Sequence, residues 1–148
     1  MKTFAIAVVL IASALVAGQA AARNDQATYA LQEAFATPDA QQKLDKSIKM
    51  YFGRQPTPKV LQHHGEWKTN KKSSGFFKSD KSACEWAFLS AMIELQERAK
   101  KLGADGVVGI VSNYQNVEVG SETEFVCGSG ALMSGVAFKG RIVRLAPR

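Results

Sequence analysis

The most restrictive feature of this sequence is a long amphipathic segment that ends at Gly103. Its apolar residues recur at intervals of three and four, which places them on one face of an α-helix. They are Cys84, Phe88, Ala91, Leu95, Ala99 and Leu102. Ser82 and Glu85 predict a capping box at the helix start, with Ser79 or Asp80 as alternative caps one turn earlier. Gly103 is expected to end the helix in the left-handed conformation.

The segments on both sides of this helix have the patterns of β-strands. The predicted strands comprise residues 48–52, 60–72, 107–111, 123–127 and 131–145. Residues 107–111 are apolar at nearly every position, which is typical of a central strand, whereas 123–127 alternate between apolar and polar residues. We therefore predict an α+β fold with one antiparallel or mixed sheet of about four to five strands on one main helix. The helix is expected at residues 80–102, in the order β-β-α-β-β with space for one more strand.

The first 22 residues have the features of a secretory signal peptide. Lys2 precedes an apolar run from Phe4 to Ala17, and small residues that suit cleavage follow at Gly18, Ala20 and Ala22. The run is short for a membrane span. We expect a periplasmic or secreted protein with no transmembrane helix after cleavage.

The chain is thus predicted to have three parts. Residues 1–22 are the signal peptide, and 23–43 are a flexible or partly helical N-terminal arm rich in alanine and glutamine. Residues 44–148 form a single α+β domain, which has a comfortable size for one hydrophobic core.

Two cysteines, Cys84 and Cys127, are predicted to form a disulfide, because an exported protein folds in an oxidising compartment. Cys84 lies in the first turn of the predicted helix, and Cys127 lies on the apolar face of the strand that would meet this helix. A redox couple and a metal site are the alternatives, but a Cys-x-x-Cys motif is absent. A bridge that closes a loop of this length stabilises a domain by roughly 4 kcal/mol.

Composition excludes few functions. With 46% hydrophobic and 22% charged residues, the sequence is neither disordered, collagen-like nor a multipass membrane protein. The formal net charge of +6 falls to +5 when Lys2 is removed with the signal peptide.

Part of this charge lies in a basic stretch interleaved with Trp67, Phe76 and Phe77. Its lysines are Lys68, Lys71, Lys72, Lys78 and Lys81.

This basic stretch predicts contact with an anionic partner. An exported protein seldom meets nucleic acid, so we expect no nucleic-acid partner and favour an anionic component of the cell envelope. A solvated loop before the helix is the alternative interpretation.

The two histidines, His63 and His64, are weak candidates for a metal site. Adjacent residues in a strand point to opposite faces, so the two rings cannot easily share one ion, and Glu66 is the one further ligand nearby. We predict no bound metal and no cofactor. No catalytic residues are predicted either, because the glutamates that cluster near the C-terminus lack a recognisable triad partner. These are Glu118, Glu122 and Glu124.

The segment from Ala87 to Gly109, in which Ala-Lys-Lys-Leu-Gly-Ala-Asp-Gly leads into Val-Val-Gly, resembles the YbjQ-type domain that is often labelled heavy-metal-binding. The Rcs envelope stress sensor, an outer-membrane lipoprotein, has a similar domain with disulfides between helix and sheet. The sequence looks closer still to small exported bacterial proteins commonly labelled "excinuclease ATPase subunit". The matching motifs are Tyr51-Phe52-Gly53, Ala83 to Phe88, Gln96 to Ala99, Glu122 to Phe125 with Cys127, and Gly135 to Ala137 with Lys139-Gly140.

An ATPase or excinuclease activity is not supported by the residues. A phosphate-binding loop needs Gly-x-x-x-x-Gly-Lys-Ser/Thr. The nearest match runs from Gly130 to Gly135 and continues with Val136 and Ala137, which supply neither the lysine nor the hydroxyl.

The resemblance to the stress sensor's domain implies an exported, non-enzymatic cell-envelope protein that acts by protein-protein contact. The alternative is a binding module for a metal ion or an anionic envelope component. Because the YbjQ-type domain forms rings, the resemblance also implies that a homo-oligomer is an option for this chain.

Overall fold

This computed structural model describes residues 23–148, and the predicted signal peptide lies outside the described residues. The elements are β1 (Asp25–Ala30), α1 (Leu31–Ala36), α2 (Pro38–Lys43), β2 (Lys49–Phe52), β3 (Val60–Ser74), α3 (Asp80–Lys101), β4 (Gly106–Ser112), a short 3-10 turn (Tyr114–Asn116), β5 (Glu124–Ser129) and β6 (Met133–Leu145). The predicted α+β class is confirmed, with one mixed sheet and one main helix.

The sheet is curled and is organised around β6. Its strand order is β1-β5-β6-β4-β2, and β3 pairs with β6 outside this path. The first residues of β6 pair with β5 and its later residues pair with β4, while β3 runs antiparallel along most of its length. Within residues 23–148, β2 and β4 form the parallel pair. The strands β1, β2 and β3 are therefore the edges of the sheet.

Helix α3 begins one turn earlier than a cap at Ser82 requires. The Ser79 hydroxyl accepts a hydrogen bond from the Ser82 amide at 3.1 Å, so Ser79 is the N-cap. The capping box at Ser82 and Glu85 is therefore wrong, because Ser82 already lies inside the first turn. The expected end is confirmed, since Gly103 has a φ of +68°.

The core lies between α3 and the sheet, with Phe88 at its centre. Phe88 is fully buried, and its ring centroid lies 4.7 Å from that of Phe125 and 5.0 Å from that of Phe35. Phe138 of β6 lies 5.7 Å away on another side. Aromatic residues from helix and strands thus form one contiguous cluster, whose edge-to-face and tilted contacts add to the burial of apolar area.

The N-terminal arm is partly helical, and it also supplies a strand that the sequence analysis did not predict. Leu31 and Ala34 of α1 are buried in the same core as α3. β1 pairs with β5 in continuous register from Asp25 to Ala30. Its first four residues are exposed on both faces, so β1 lacks the apolar alternation that identifies a strand in a sequence.

The predicted disulfide is confirmed. Cys84 and Cys127 are bonded and fully buried, and their Cα atoms lie 6.0 Å apart. The bridge joins the first turns of α3 to β5. Within residues 23–148, no helix is both long enough and apolar enough to cross a membrane.

Candidate functional site

The two histidines lie next to each other in the edge strand β3. His63 is exposed, His64 is half-buried, and the register with β6 shifts between His63 and Glu66. Glu66 lies near Lys139, with 4.0 Å between the charged atoms. Among the described residues, no group of three histidine, cysteine or carboxylate side chains is placed to hold a metal ion.

We expect zinc, copper and nickel to give no heat of binding in calorimetric titration of the purified protein. The physical reason is that, within residues 23–148, no third histidine, cysteine or carboxylate side chain is placed to complete a metal site with His63 and His64. The double variant His63→Ala/His64→Ala is the matched control and should titrate like the wild type. Stoichiometric heat that disappears in this variant would contradict the expectation.

The basic stretch is divided between the two faces of β3 and the start of α3. Lys68 and Lys72 are exposed on one face, whereas Lys71 is half-buried on the other and pairs with Glu94 of α3. Lys81 pairs with Glu33 at 2.6 Å. The nitrogen of Lys78 lies 5.7 Å from the centre of the Trp86 ring. The five lysines therefore do not form one continuous surface.

Glu94 fastens α3 to the edge strand β3. Burial favours a higher pKa for Glu94, but the hydrogen bonds from Lys71 and Trp67 outweigh burial and hold this pKa below its usual range. The indole nitrogen of Trp67 donates to the carboxylate at 3.3 Å, and the Arg98 guanidinium stacks on the Trp67 ring. Because the folded-state pKa is lowered, this contribution to stability is present at neutral pH and is lost as the pH falls through that pKa.

One edge of the sheet, the outer side of β1, is uncovered. The Leu31 amide donates to the Thr123 carbonyl at 2.8 Å, which places odd-numbered residues of this segment in hydrogen-bonded pairs with β5. The intervening residues Gln26, Thr28 and Ala30 consequently direct their backbone N–H and C=O groups away from the sheet. We call these outward groups the β1 edge.

The chain is fixed immediately before the β1 edge. The Tyr114 hydroxyl donates to the Asn24 side chain at 3.0 Å, and Arg23 pairs with Asp25 and Asp80. The phenol of Tyr114 occupies the space beside Gly128, where an added Cβ would lie 2.0 Å from its oxygen. Gly128 therefore makes room for the contact that holds the start of β1.

The β1 edge lacks the features that protect edge strands. Natural edge strands are usually shielded by lysine, proline or a bulge. β3 carries the exposed Lys68 and Lys72 and a bulge at Gly65, whereas β1 has the sequence Asp-Gln-Ala-Thr-Tyr-Ala in unbroken register with β5. This edge was not predictable from the sequence, because it is defined by the backbone pairing of β1 with β5. The side chains of β1 do not show the alternation of apolar and polar residues that identifies a strand.

Two neighbouring segments, the loop after β3 and the hairpin between β5 and β6, carry large exposed apolar side chains. Four such residues, which we call the apolar tip, are Phe76, Phe77, Leu132 and Met133. The sequence analysis noted the two phenylalanines within the basic stretch, but it missed the hairpin residues Leu132 and Met133. The sequence did contain a signal for these two residues: two large apolar side chains lie in a short segment between Gly130 and Gly135, and such glycines are typical of a turn at the surface.

The chain was compared with protein-family models, with curated proteins and with solved structures, and none of the three comparisons gave a match.

Proposed function

We propose that this chain is an exported, non-enzymatic protein of the cell envelope that acts by protein-protein contact. Its signal peptide is removed after Ala22, and the mature protein is periplasmic or secreted. The observation that carries the contact function is the unprotected β1 edge. The contact is strand addition, in which a strand of the partner extends the sheet beyond β1.

Two properties of β1 support this proposal. The strand is held in place by its pairing with β5 and by the contacts of Arg23 and Tyr114, so the outward groups are pre-organised. The side chains of Gln26 and Thr28 are exposed and uncharged, so they do not repel an added strand. Unpaired backbone groups on a fixed strand bind extended segments without a large ordering cost.

The proposed location is supported by the cysteine pair and by the first 22 residues. Cys84 and Cys127 form a disulfide that persists in an oxidising compartment. The apolar run after Lys2, with small residues at Gly18, Ala20 and Ala22, suits export and cleavage.

The variant Thr28→Pro tests the contact. Proline removes the outward amide of Thr28 but leaves the bonds of the neighbouring residues with β5, and proline is tolerated on the open side of edge strands. We expect affinity capture of a stoichiometric protein from an envelope extract to fall at least about tenfold in this variant, because strand addition depends on continuous backbone bonding.

The matched control is Thr28→Ala, which removes the same side chain and keeps the amide. It should capture as much partner as the wild type, and both variants should unfold at the same urea concentration. Equal capture by all three proteins would overturn strand addition at β1. Size-exclusion chromatography of each protein shows whether the added strand belongs to a second copy of this chain.

A further inference from the structure

The apolar tip is the most exposed concentration of large apolar side chains in residues 23–148. The exposed fractions are 63% for Phe76, 95% for Phe77, 67% for Leu132 and 48% for Met133. Single exposed apolar residues are ordinary, but several large ones close together are typical of a binding surface.

Two loops are joined to form this tip. The Gly75 amide donates to the Leu132 carbonyl at 2.7 Å, and Ser74 lies opposite Met133 in the β3–β6 pairing. In the loop after β3, the Lys78 amide donates to the Gly75 carbonyl at 3.1 Å, and this hydrogen bond closes a turn. The tip therefore stands at the end of the two longest strands, on a rigid base.

The backbone holds one phenylalanine outward at a conformational cost. Phe77 has a φ of +59°, in the left-handed region that disfavours residues with a large side chain. Its ring packs against Phe76 with 4.2 Å between centroids and is otherwise exposed. The left-handed backbone and the exposed apolar ring of Phe77 both cost folding free energy. A role in binding accounts for this cost, because strained residues are typical of functional sites.

Basic side chains flank the tip. Lys72 lies two residues before Ser74, and Lys78 ends the Phe76–Phe77 turn; both are exposed. Within residues 23–148, neither lysine pairs with a carboxylate. The acidic group closest in sequence, Asp80, pairs with Arg23. The surroundings of the tip therefore favour an anionic partner.

We propose that the apolar tip inserts into the interfacial region of an anionic phospholipid bilayer, with Lys72 and Lys78 at the headgroup phosphates. The tip has protruding rings, an exposed Lys72, and Lys78 with its nitrogen 5.7 Å from the centre of the Trp86 ring and no carboxylate partner within residues 23–148. This combination matches a bilayer surface, in which negatively charged headgroups cover an apolar interior. A protein partner would instead need a pocket for Phe77 together with carboxylates for both lysines. This binding site lies next to the start of β1, where the Arg23 guanidinium donates to the Gly130 carbonyl at 3.2 Å, but it uses different residues from the β1 edge and does not depend on the proposed contact with a protein.

Vesicle sedimentation tests the proposal. Protein is recovered after export, and its N-terminus is determined by mass spectrometry so that the apolar run after Lys2 does not contribute. We expect the protein to bind vesicles of phosphatidylglycerol and phosphatidylcholine at low salt and to bind pure phosphatidylcholine much more weakly. Phe77→Ser should weaken binding about tenfold, because a buried phenylalanine ring contributes at least this much.

The matched control for Phe77→Ser is Leu61→Ser. Leu61 is 55% exposed and lies at the opposite end of β3, so its loss removes a similar apolar side chain from a surface away from the tip. This variant should bind vesicles like the wild type. Equal losses in Leu61→Ser and Phe77→Ser would overturn insertion of the tip.

The charge contribution is tested by Lys78→Gln. Each lysine near an anionic surface is worth about a fivefold change in affinity, and salt screens this effect. Lys59→Gln, before the first residue of β3, is the control and should change binding little. Both variants should bind alike at high salt.

Two further results would overturn the proposal: no binding of the wild type to anionic vesicles, or equal binding to neutral vesicles. If the first result is accompanied by loss of a captured protein in Phe77→Ser, the tip belongs to a protein partner. Thr28→Pro should leave vesicle binding unchanged, so failure at the tip and failure at the β1 edge are separate outcomes.

Discussion

Replacement of both Cys84 and Cys127 by alanine is expected to lower the free energy of unfolding by about 4 kcal/mol. The two cysteines are 43 residues apart in the sequence, and their bond restricts the unfolded chain over this whole loop. Both sulfur atoms are buried, so the alanines also leave unfilled volume. Urea denaturation of the variant and the wild type, followed by circular dichroism, measures the difference.

The reductant provides the control for this variant. Wild-type protein in dithiothreitol should lose stability by a similar amount, whereas the double variant should not respond. Alkylation before reduction should leave the intact mass unchanged, because both thiols are in the bond. A double variant as stable as the oxidised wild type would contradict the expectation.

This bridge makes the stability of the fold depend on redox conditions. A stabilisation of about 4 kcal/mol is a large share of the 5–15 kcal/mol that is typical of a small domain. The bond fixes the first turns of α3 to β5, and β5 in turn carries β1. Reduction of the protein is therefore expected to weaken the part of the sheet that presents the β1 edge.

The helix and the inner strands were predictable because their side chains carry the signal. The apolar spacing of residues 84–102 identifies α3, and the left-handed Gly103 defines its C-terminal end. The strand β4 is apolar at most positions because it lies between β6 and β2. In each case burial on a fixed face imposes a pattern that can be detected in the sequence.

The ion pairs of the lysines and the contacts between distant loops were not predictable from side-chain patterns. Lys71 and Lys72 are neighbours in the sequence, but strand alternation sends one to Glu94 and the other to solvent. Gly75 and Leu132 come together only because β3 pairs with β6. The candidate surfaces thus arise from the topology of the sheet, which a pattern of residue types does not determine.

The second large effect is expected from Phe88→Ala, which should lower the free energy of unfolding by about 4 kcal/mol. Phe88 is fully buried, and its ring contacts aromatic residues of α1, β5 and β6. Alanine removes these contacts and leaves a cavity that the surrounding rings fill only in part. Phe88→Leu retains much of the volume and should cost about 1.5 kcal/mol.

Phe76→Ala is the matched control, because it removes the same ring from an exposed position. Its unfolding free energy should lie within about 0.5 kcal/mol of the wild type. The two phenylalanines therefore separate folding from binding: Phe88→Ala should be unstable yet bind anionic vesicles while it remains folded, whereas Phe76→Ala should be stable and bind them weakly. Equal stability of the two alanine variants would mean that the aromatic cluster around Phe88 does not hold the helix to the sheet.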